Sequence, residues 1–284
     1  MEGVPAEEAD ALTNAGLMKT ADYLGTYFIS FQNQRPPFDD PRVRKAFSLV
    51  IDSPYLTQTV TGTGEVPASA FVPPGVYDAG GAGQADFRNV GGGYWQVPLT
   101  DALYEENCRQ ARELLAQAGY PGGAGFPPVE YLYSTDQRNR LIAEALQSMW
   151  AQELGVRVNL VNQDWNSTLQ TCFDGEYDMA AAVWTADYND PISFLGTWQS
   201  EGGNNIARYQ SAAFDEALAQ AAVTQDAQAR MKELHRAEEL LLGEDQSLAP
   251  LYFYALTYCA DPGLTGIYYT PLGYFFFGQV TRAS

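Results

Sequence analysis

The feature that most constrains the fold is an alternation of helix-type and strand-type segments along residues 104–258. Helix-type segments repeat apolar residues three and four positions apart, whereas strand-type segments are short and rich in β-branched, aromatic or alternating apolar residues. The predicted order is helix 104–118, strand 129–134, helix 137–153, strand 156–162, helix 164–174, strand 177–184, helices 211–222 and 226–242, and strand 248–258. Strands separated by helices need crossover connections, so the sequence predicts an α/β fold with a mixed, at least partly parallel sheet flanked by helices.

The residues before this region are less regular. A strand is predicted at 26–34, and a helix follows it in which Asp40 is the N-cap and Pro41 takes the first helical position. Residues 62–100 are rich in glycine and proline and are predicted to form a long irregular segment. None of their glycine runs follows a strand and opens a helix, so a phosphate-binding loop is not expected.

Charge argues against two classes of partner. The 284-residue chain has 16 Lys and Arg against 35 Asp and Glu, which gives a net charge of −19. Nucleic acids and anionic membrane surfaces both select basic proteins, so neither is an expected partner. The chain has no run of 18 apolar residues, and the stretch after Met1 lacks the basic start and apolar core of a signal peptide. Neither a membrane span nor a signal peptide is expected within this chain.

No motif singles out a catalytic or metal-binding cluster. His235 is the only histidine, and no GxSxG motif accompanies it, so it is expected to be a solvated or half-buried helix residue. Asp187, Asn189 and Asp190 begin like a calcium loop but lack its downstream glycine and glutamate. A hydrolase that acts through two carboxylates remains an alternative on residue types alone. No cofactor or metal is expected.

The three cysteines, Cys108, Cys172 and Cys259, lie far apart in the sequence. They form no CxxC motif, so a zinc site or a thioredoxin-type redox site is not indicated. The favoured interpretation is three small buried apolar residues, with a disulfide between two of them left open.

The stretch VWTADYNDPISFLGT, residues 183–197, places an acidic residue at the end of a predicted buried strand. A structural role explains Asp190, which can cap a helix that follows Pro191, but it leaves Asp187 unexplained. Aromatic residues lie near this and other predicted strand ends; they are Tyr27, Phe28, Trp165, Trp184, Tyr188, Tyr252 and Tyr254. A lone buried carboxylate among aromatic side chains needs a cation, and the ammonium group of a ligand would supply it.

Several motifs, taken in order, resemble one known family. They are YLGTYFISFQNQRPPFDDPRVRKAFSLVID, LVNQDWNSTLQ, YDMAAAVWTADYNDPISFL and LAPLYFYA. Together they resemble the bacterial extracytoplasmic solute-binding proteins, family 5, and are most similar to the periplasmic oligopeptide-binding members that serve ABC importers. The resemblance covers roughly residues 20 to 284. It implies a two-lobed, clam-like binding protein that is not an enzyme, in which this chain forms a lobe of the type II periplasmic-binding-protein kind.

The resemblance also implies roles for individual residues. Asp187 matches the aspartate that binds the N-terminal ammonium of the peptide, and Trp184 and Thr185 match the stretch that pairs with the peptide backbone. Trp165 and Tyr254 match further pocket positions, and Tyr188 and Phe28 join the candidate set. Two further candidates depart from the family pattern. Ser30 stands where an acidic pocket residue is common, and Asn139, with Cys172 and Ala181, stands where basic residues bind the ligand carboxylate.

The family's chains are normally much longer, so the expected domain organisation is that of one lobe. Residues 1–24 are interpreted as a remnant or crossover of the first lobe, 25–255 as the C-terminal ligand-binding lobe, and 256–284 as a return segment of the first lobe. The expected partners are oligopeptides, bound weakly, and the membrane subunits of an ABC permease, in a periplasmic or other extracytoplasmic compartment. The alternative is a structural half-domain that needs a partner lobe, with the aromatic residues of 268–277 exposed.

Overall fold

The structure, a computed structural model, describes residues 6–282. Its strands are β1 (Met18–Phe31), β2 (Val66–Pro67), β3 (Val129–Ser134), β4 (Val158–Gln163), β5 (Met179–Thr185), β6 (Leu248–Cys259), β7 (Leu264–Thr265), β8 (Tyr268–Tyr269), β9 (Phe275–Phe276) and β10 (Thr281–Arg282). Its α-helices are α1 (Ala6–Asn14), α2 (Pro41–Leu49), α3 (Ser53–Tyr55), α4 (Phe87–Gly91), α5 (Asp101–Gln117), α6 (Gln137–Met149), α7 (Trp165–Asp174), α8 (Ile192–Leu195), α9 (Ala212–Val223) and α10 (Ala227–Glu238). Short π or 3-10 segments lie at Leu56–Thr61, Pro121–Gly123, Trp150–Leu154, Gly196–Trp198 and Glu239–Glu244.

Six strands form one mixed sheet in the order β2-β6-β1-β5-β3-β4. β3 runs parallel to β4 and to β5, and β1 runs antiparallel to both β5 and β6. Helices α6 and α7 are the crossovers that let β3, β4 and β5 run in the same direction. The sheet therefore has the mixed α/β architecture that the alternating sequence predicts.

The carboxyl ends of β3, β4 and β5 meet at one edge of this sheet, here called the carboxyl edge and marked by Ser134, Gln163 and Thr185. Gly25 of β1 lies opposite Thr185, and β6, which pairs with β1, reaches the same edge. A Cβ at Gly25 would lie 3.1 Å from Thr185 Cγ2 and 3.2 Å from Tyr254 Cδ2, so glycine lets the three strands approach closely here. In open α/β sheets ligands bind outside such an edge.

Both faces of the sheet are covered by packed side chains. Alternate residues of β1 point to opposite faces and belong to two different hydrophobic cores. Tyr27 and Ile29 pack on the face that carries Trp150, at the end of α6. Phe28 packs on the other face, where its ring meets Trp198 edge-on at a centroid distance of 5.6 Å. The central strands are thus fixed from both sides and provide a rigid base for the carboxyl edge.

Two expectations about the strands need correction. β1 begins at Met18 rather than near residue 26, because its first half pairs with the second half of β6. β5 is not buried throughout. Its residues are buried only as far as Ala180; Val183 and Trp184 are partly buried, and Thr185 is exposed. The reason is that β3 pairs with β5 only as far as Ala180 and then leaves it.

The cysteines are free thiols in the structure. Cys108 and Cys172 are buried, as expected, whereas Cys259 is only partly buried. Burial raises the pKa of Cys108 to about 11 and that of Cys172 to about 12, so both remain protonated at neutral pH.

His235 is half-buried rather than solvated. Its Nε2 lies 2.9 Å from Asp78 Oδ2, and its ring stacks on Phe87 at a centroid distance of 3.8 Å. Burial has the largest effect on the pKa of His235 and lowers it. The positive charge of Arg88 also lowers this pKa, whereas the hydrogen bond and the charge of Asp78 raise it. The folded protein therefore binds a proton at His235 less readily than the unfolded chain does.

This lowered pKa predicts a loss of stability in mild acid. A histidine whose pKa is lowered by folding stabilises the protein above its unfolded pKa of about 6.5, and this stability is lost as the pH falls through the folded pKa. We expect the free energy of unfolding to decrease between pH 7.5 and 5.5, and to decrease less in a His235→Gln variant. Urea denaturation at both pH values measures the difference; an equal decrease in the two proteins would contradict the prediction.

Candidate functional site

The residues that follow β5, 186–191, form a loop at the carboxyl edge and are called the site loop below. Its first residue continues the sheet, since the Ala186 N–H donates to Leu24 O at 2.8 Å. Ser193 of α8 forms two hydrogen bonds that hold the start of the loop. Its Oγ accepts the Asp187 N–H at 2.9 Å, and its carbonyl accepts the Trp184 indole N–H at 2.6 Å. The backbone of Asp187 is therefore fixed. Its side chain is exposed, so the expectation of a buried carboxylate was wrong, because Asp187 lies beyond the end of β5 at Thr185.

The polar side chains of the site loop have different roles. Asp190 forms two hydrogen bonds with Arg230 of α10, at 2.8 and 2.9 Å, and accepts the Ile192 N–H at the start of α8. Asn189 binds the backbone of residues 75–77. The Asp187 carboxylate forms no hydrogen bond or ion pair with any residue in 6–282. Of the two aspartates, Asp190 is neutralised by an arginine and Asp187 remains available to a ligand.

Between Ala180 and Asp187, one side of β5 is not paired with any strand of residues 6–282. Ala186 bonds to β1, so by the alternation of an antiparallel pair the N–H and C=O groups of Val183 and Thr185 point away from β1. The pairing with β3 on that side ends at Ala180. Val183 and Thr185 therefore offer backbone donors and acceptors to an extended chain, and that free edge leads directly to Asp187.

Aromatic residues lie at the carboxyl edge of the sheet. Trp165, the first residue of α7, and Tyr188 in the site loop are each 51% exposed. Tyr254 is partly buried, with the ring of Tyr252 at 5.4 Å and that of Tyr23 at 6.3 Å. Such side chains present large apolar surfaces with polar tips, which suits a site that covers varied ligand side chains. The structure thus brings Trp165, Tyr188 and Tyr254 to the same edge as Asp187.

Two predicted ligand-binding residues are not accessible in this lobe. Phe28 is 1% exposed and Ser30 is fully buried. Both point to the face of β1 opposite Tyr27, where Phe28 packs on Trp198 and Ser30 Oγ lies 2.8 Å from the Tyr177 hydroxyl. Their side chains support the sheet and do not line its carboxyl edge.

Asn139 lies at the edge but is already engaged. Its Oδ1 accepts the Tyr27 hydroxyl at 3.1 Å, and its Nδ2 donates to Ser134 Oγ at 2.8 Å. The amide therefore ties α6 to β1 and β3 on the α6 side of the sheet, and a ligand would have to compete for these bonds.

Sequence reasoning missed a cation at this edge, Arg138. Its Nη1 lies 2.7 Å from Glu65 Oε1, and its Nη2 donates to Thr63 Oγ1 at 2.8 Å. Burial raises the pKa of Tyr254 above its usual range, and the charge of Arg138 partly offsets that rise. No local signal identifies this ion pair, because Glu65 lies 73 residues before Arg138.

Comparisons with known proteins find relatives among bacterial solute-binding proteins. The family model "Bacterial extracellular solute-binding proteins, family 5 Middle" matches residues 1–206. The periplasmic oligopeptide-binding protein OppA of Salmonella typhimurium is 34% identical over 244 residues, which cover 86% of this chain and 42% of that protein. The periplasmic murein peptide-binding protein MppA of Escherichia coli is 36% identical over 254 residues, covering 88% of this chain and 44% of that protein.

The fold is also found among solved structures. That of Haemophilus influenzae OppA in complex with the peptide RPPGFSPFR superposes with a TM-score of 0.81 at 28% identity, covering 99% of this chain and 53% of that one. This chain belongs to family 5 of the bacterial extracellular solute-binding proteins. It spans about half the length of the relatives it matches. These relatives are solute-binding proteins, which confirms the expectation that the chain is not an enzyme. No helix within residues 6–282 is long and apolar enough to cross a membrane.

Proposed function

We propose that this chain binds oligopeptides through their free N-terminus and serves an ABC importer. The observation that carries the proposal is the unpaired Asp187 carboxylate at the end of the free edge of β5. An ammonium group at Asp187 would gain a charge-assisted hydrogen bond, and the peptide backbone would pair with Val183 and Thr185. Because backbone pairing does not depend on side chains, the site would accept many peptide sequences.

In the proposed arrangement, Trp165, Tyr188 and Tyr254 contact ligand side chains, while Trp184 and Asn139 support the edge through hydrogen bonds to Ser193 and Ser134. The site loop carries one unneutralised charge, that of Asp187, since Asp190 is paired with Arg230. Arg138, which is paired with Glu65, is the nearby cation that a ligand carboxylate could approach. Phe28 and Ser30 are left out of the ligand contacts because they are buried.

The proposed domain organisation follows the resemblance. Residues 25–255 form the ligand-binding lobe, and residues 1–24 and 256–284 belong with a first lobe. β1 continues through the boundary at residue 24, and its first half pairs with the end of β6, so these two strands would connect the lobes. The compartment is proposed to be periplasmic or otherwise extracytoplasmic, as the names of the matched relatives state for those proteins.

Since the chain covers about half of its relatives' length, we expect it to provide one wall of the site and to bind peptides weakly by itself. A second candidate function is an interaction half-domain that works only with a partner lobe. The exposed rings of Tyr268, Tyr274, Phe276 and Phe277 favour it, because each is more than half exposed. Sedimentation velocity distinguishes the two, since self-association through these rings would favour the second.

Titration with two matched peptides tests the proposed function. Tetra-alanine with a free N-terminus is expected to shift the backbone NMR signals of Val183, Thr185 and Asp187 at millimolar concentration. N-acetyl tetra-alanine, which lacks the ammonium, is expected to shift them much less, because Asp187 then has no cation to bind. Equal shifts with both peptides would mean that Asp187 does not select the N-terminus, and no shift with either would contradict peptide binding by this lobe alone.

A further inference from the structure

Asn189 connects the site loop to a distant part of the chain through both ends of its amide. Its Oδ1 accepts the Tyr77 N–H at 2.8 Å, and its Nδ2 donates to Gly75 O at 3.0 Å. Only a side chain that has a donor and an acceptor side by side, such as asparagine, can satisfy a backbone N–H and a backbone C=O in this way. The contact spans more than 110 residues of sequence, so it is a tertiary bond and not a local turn.

The segment that Asn189 binds is itself fixed. Val76 and Phe87 are fully buried in the core, and the Phe87 N–H donates to Val76 O at 2.8 Å. The Gly75 N–H donates to Asp86 Oδ2 at 2.9 Å, which closes the segment on itself. Asn189 therefore attaches the site loop to a segment that is held by the core.

We propose that Asn189 is a positioning residue that holds Asp187 where it meets the ligand ammonium. The inference rests on the proposed function and adds to it a residue that does not contact the ligand. Asp187 has an exposed carboxylate with no partner among residues 6–282, and its place depends on the backbone around it. Ser193 fixes that backbone on one side, and Asn189, two residues further on, fixes it on the other. Without Asn189, binding an ammonium would require ordering the loop at that moment, and this ordering opposes binding.

The test compares three variants with the two peptides described above. Asn189→Ala removes both hydrogen bonds, and Asn189→Ser keeps a hydroxyl that can replace at most one of them without adding a charge to the site loop. Asn204→Ala is the matched control, since Asn204 is an exposed asparagine outside the site loop. We expect Asn189→Ala to weaken binding of tetra-alanine roughly threefold to tenfold and to leave binding of N-acetyl tetra-alanine unchanged. Asn189→Ser should show an effect of the same kind that is no larger than that of Asn189→Ala, and Asn204→Ala should show none.

A double variant separates positioning from general destabilisation. In an Asp187→Asn background, Asn189→Ala should change the affinity for neither peptide, because the group that it positions is gone. Equal weakening of both peptides by Asn189→Ala, or a full effect in the Asp187→Asn background, would overturn the inference while the proposed function stands. Equal binding of both peptides by the unmodified chain would instead overturn the proposed function, and with it the role of Asn189. Should Asn189→Ala fail to fold, Asn189→Ser gives the same comparison.

Discussion

Replacing Asp187 with asparagine is expected to abolish the preference for peptides with a free N-terminus. Asparagine keeps the size of the side chain and can still accept a hydrogen bond, but it loses the negative charge. A hydrogen bond between charged partners is worth about 1.5–3 kcal/mol, and exposure to solvent reduces this, so affinity for tetra-alanine should fall about tenfold. Affinity for N-acetyl tetra-alanine should not change, and the two peptides should then bind equally.

The natural control for this variant is Asp39→Asn. Asp39 is also exposed, but it follows the opposite end of β1, far from the carboxyl edge, and its replacement changes the net charge by the same amount. It should leave both affinities unchanged. Titration of each protein by NMR gives the four dissociation constants. A tenfold loss in Asp39→Asn as well would show that overall charge, and not Asp187, attracts the ammonium. Retained selectivity in Asp187→Asn would place the ammonium elsewhere.

Those parts of the fold that depend on local chemistry could be predicted from the sequence. Asp40 caps α2, and Asp164 caps α7, because a short acidic side chain can reach the N–H groups of the first helical turn. The strand at Val129–Ser134 was predicted with its observed bounds, and Gly155 ends the helical segment before β4 with a positive φ of 69°. These features need only neighbours within a few positions.

The site was predictable only in part, because it depends on contacts between distant residues. The residues around Asp187 were found from one contiguous stretch, but the roles of Asn189 and Arg138 depend on partners more than 70 residues away. The free edge of β5 depends on strand order, and no pattern in β5 reveals that β3 leaves it after Ala180. Ser30 enters the candidate set by resemblance and Phe28 by its place near a predicted strand end, whereas the core on their side of β1 buries both.

Of the substitutions proposed for this protein, replacing Glu238 with alanine is expected to lower the free energy of unfolding the most. The Glu238 carboxylate is completely buried on α10 and forms an ion pair with Arg88 at 2.6 Å. It also accepts the backbone N–H groups of Phe71 and Val72, at 3.1 and 2.8 Å. Burial raises the pKa of Glu238, and Arg88 together with these N–H groups opposes the rise by stabilising the carboxylate. Removing the carboxylate leaves the buried Arg88 charge without its partner, which typically costs about 3–5 kcal/mol.

Urea denaturation of four proteins tests this prediction. Glu239→Ala is the matched control: the neighbouring residue is exposed, its pair with Arg236 at 3.4 Å lies on the surface, and its loss should cost less than about 0.5 kcal/mol. Arg88→Met combined with Glu238→Met should be more stable than Glu238→Ala, because no buried charge then lacks a partner. The prediction fails if Glu238→Ala is no less stable than Glu239→Ala. It also fails if the double variant is no more stable than Glu238→Ala. In that case the Glu238 carboxylate would contribute stability only through its hydrogen bonds to the Phe71 and Val72 N–H groups, and not through its ion pair with Arg88. Residues 71–72 lead directly into the segment that Asn189 binds, so this buried ion pair stabilises the support on which the position of Asp187 depends.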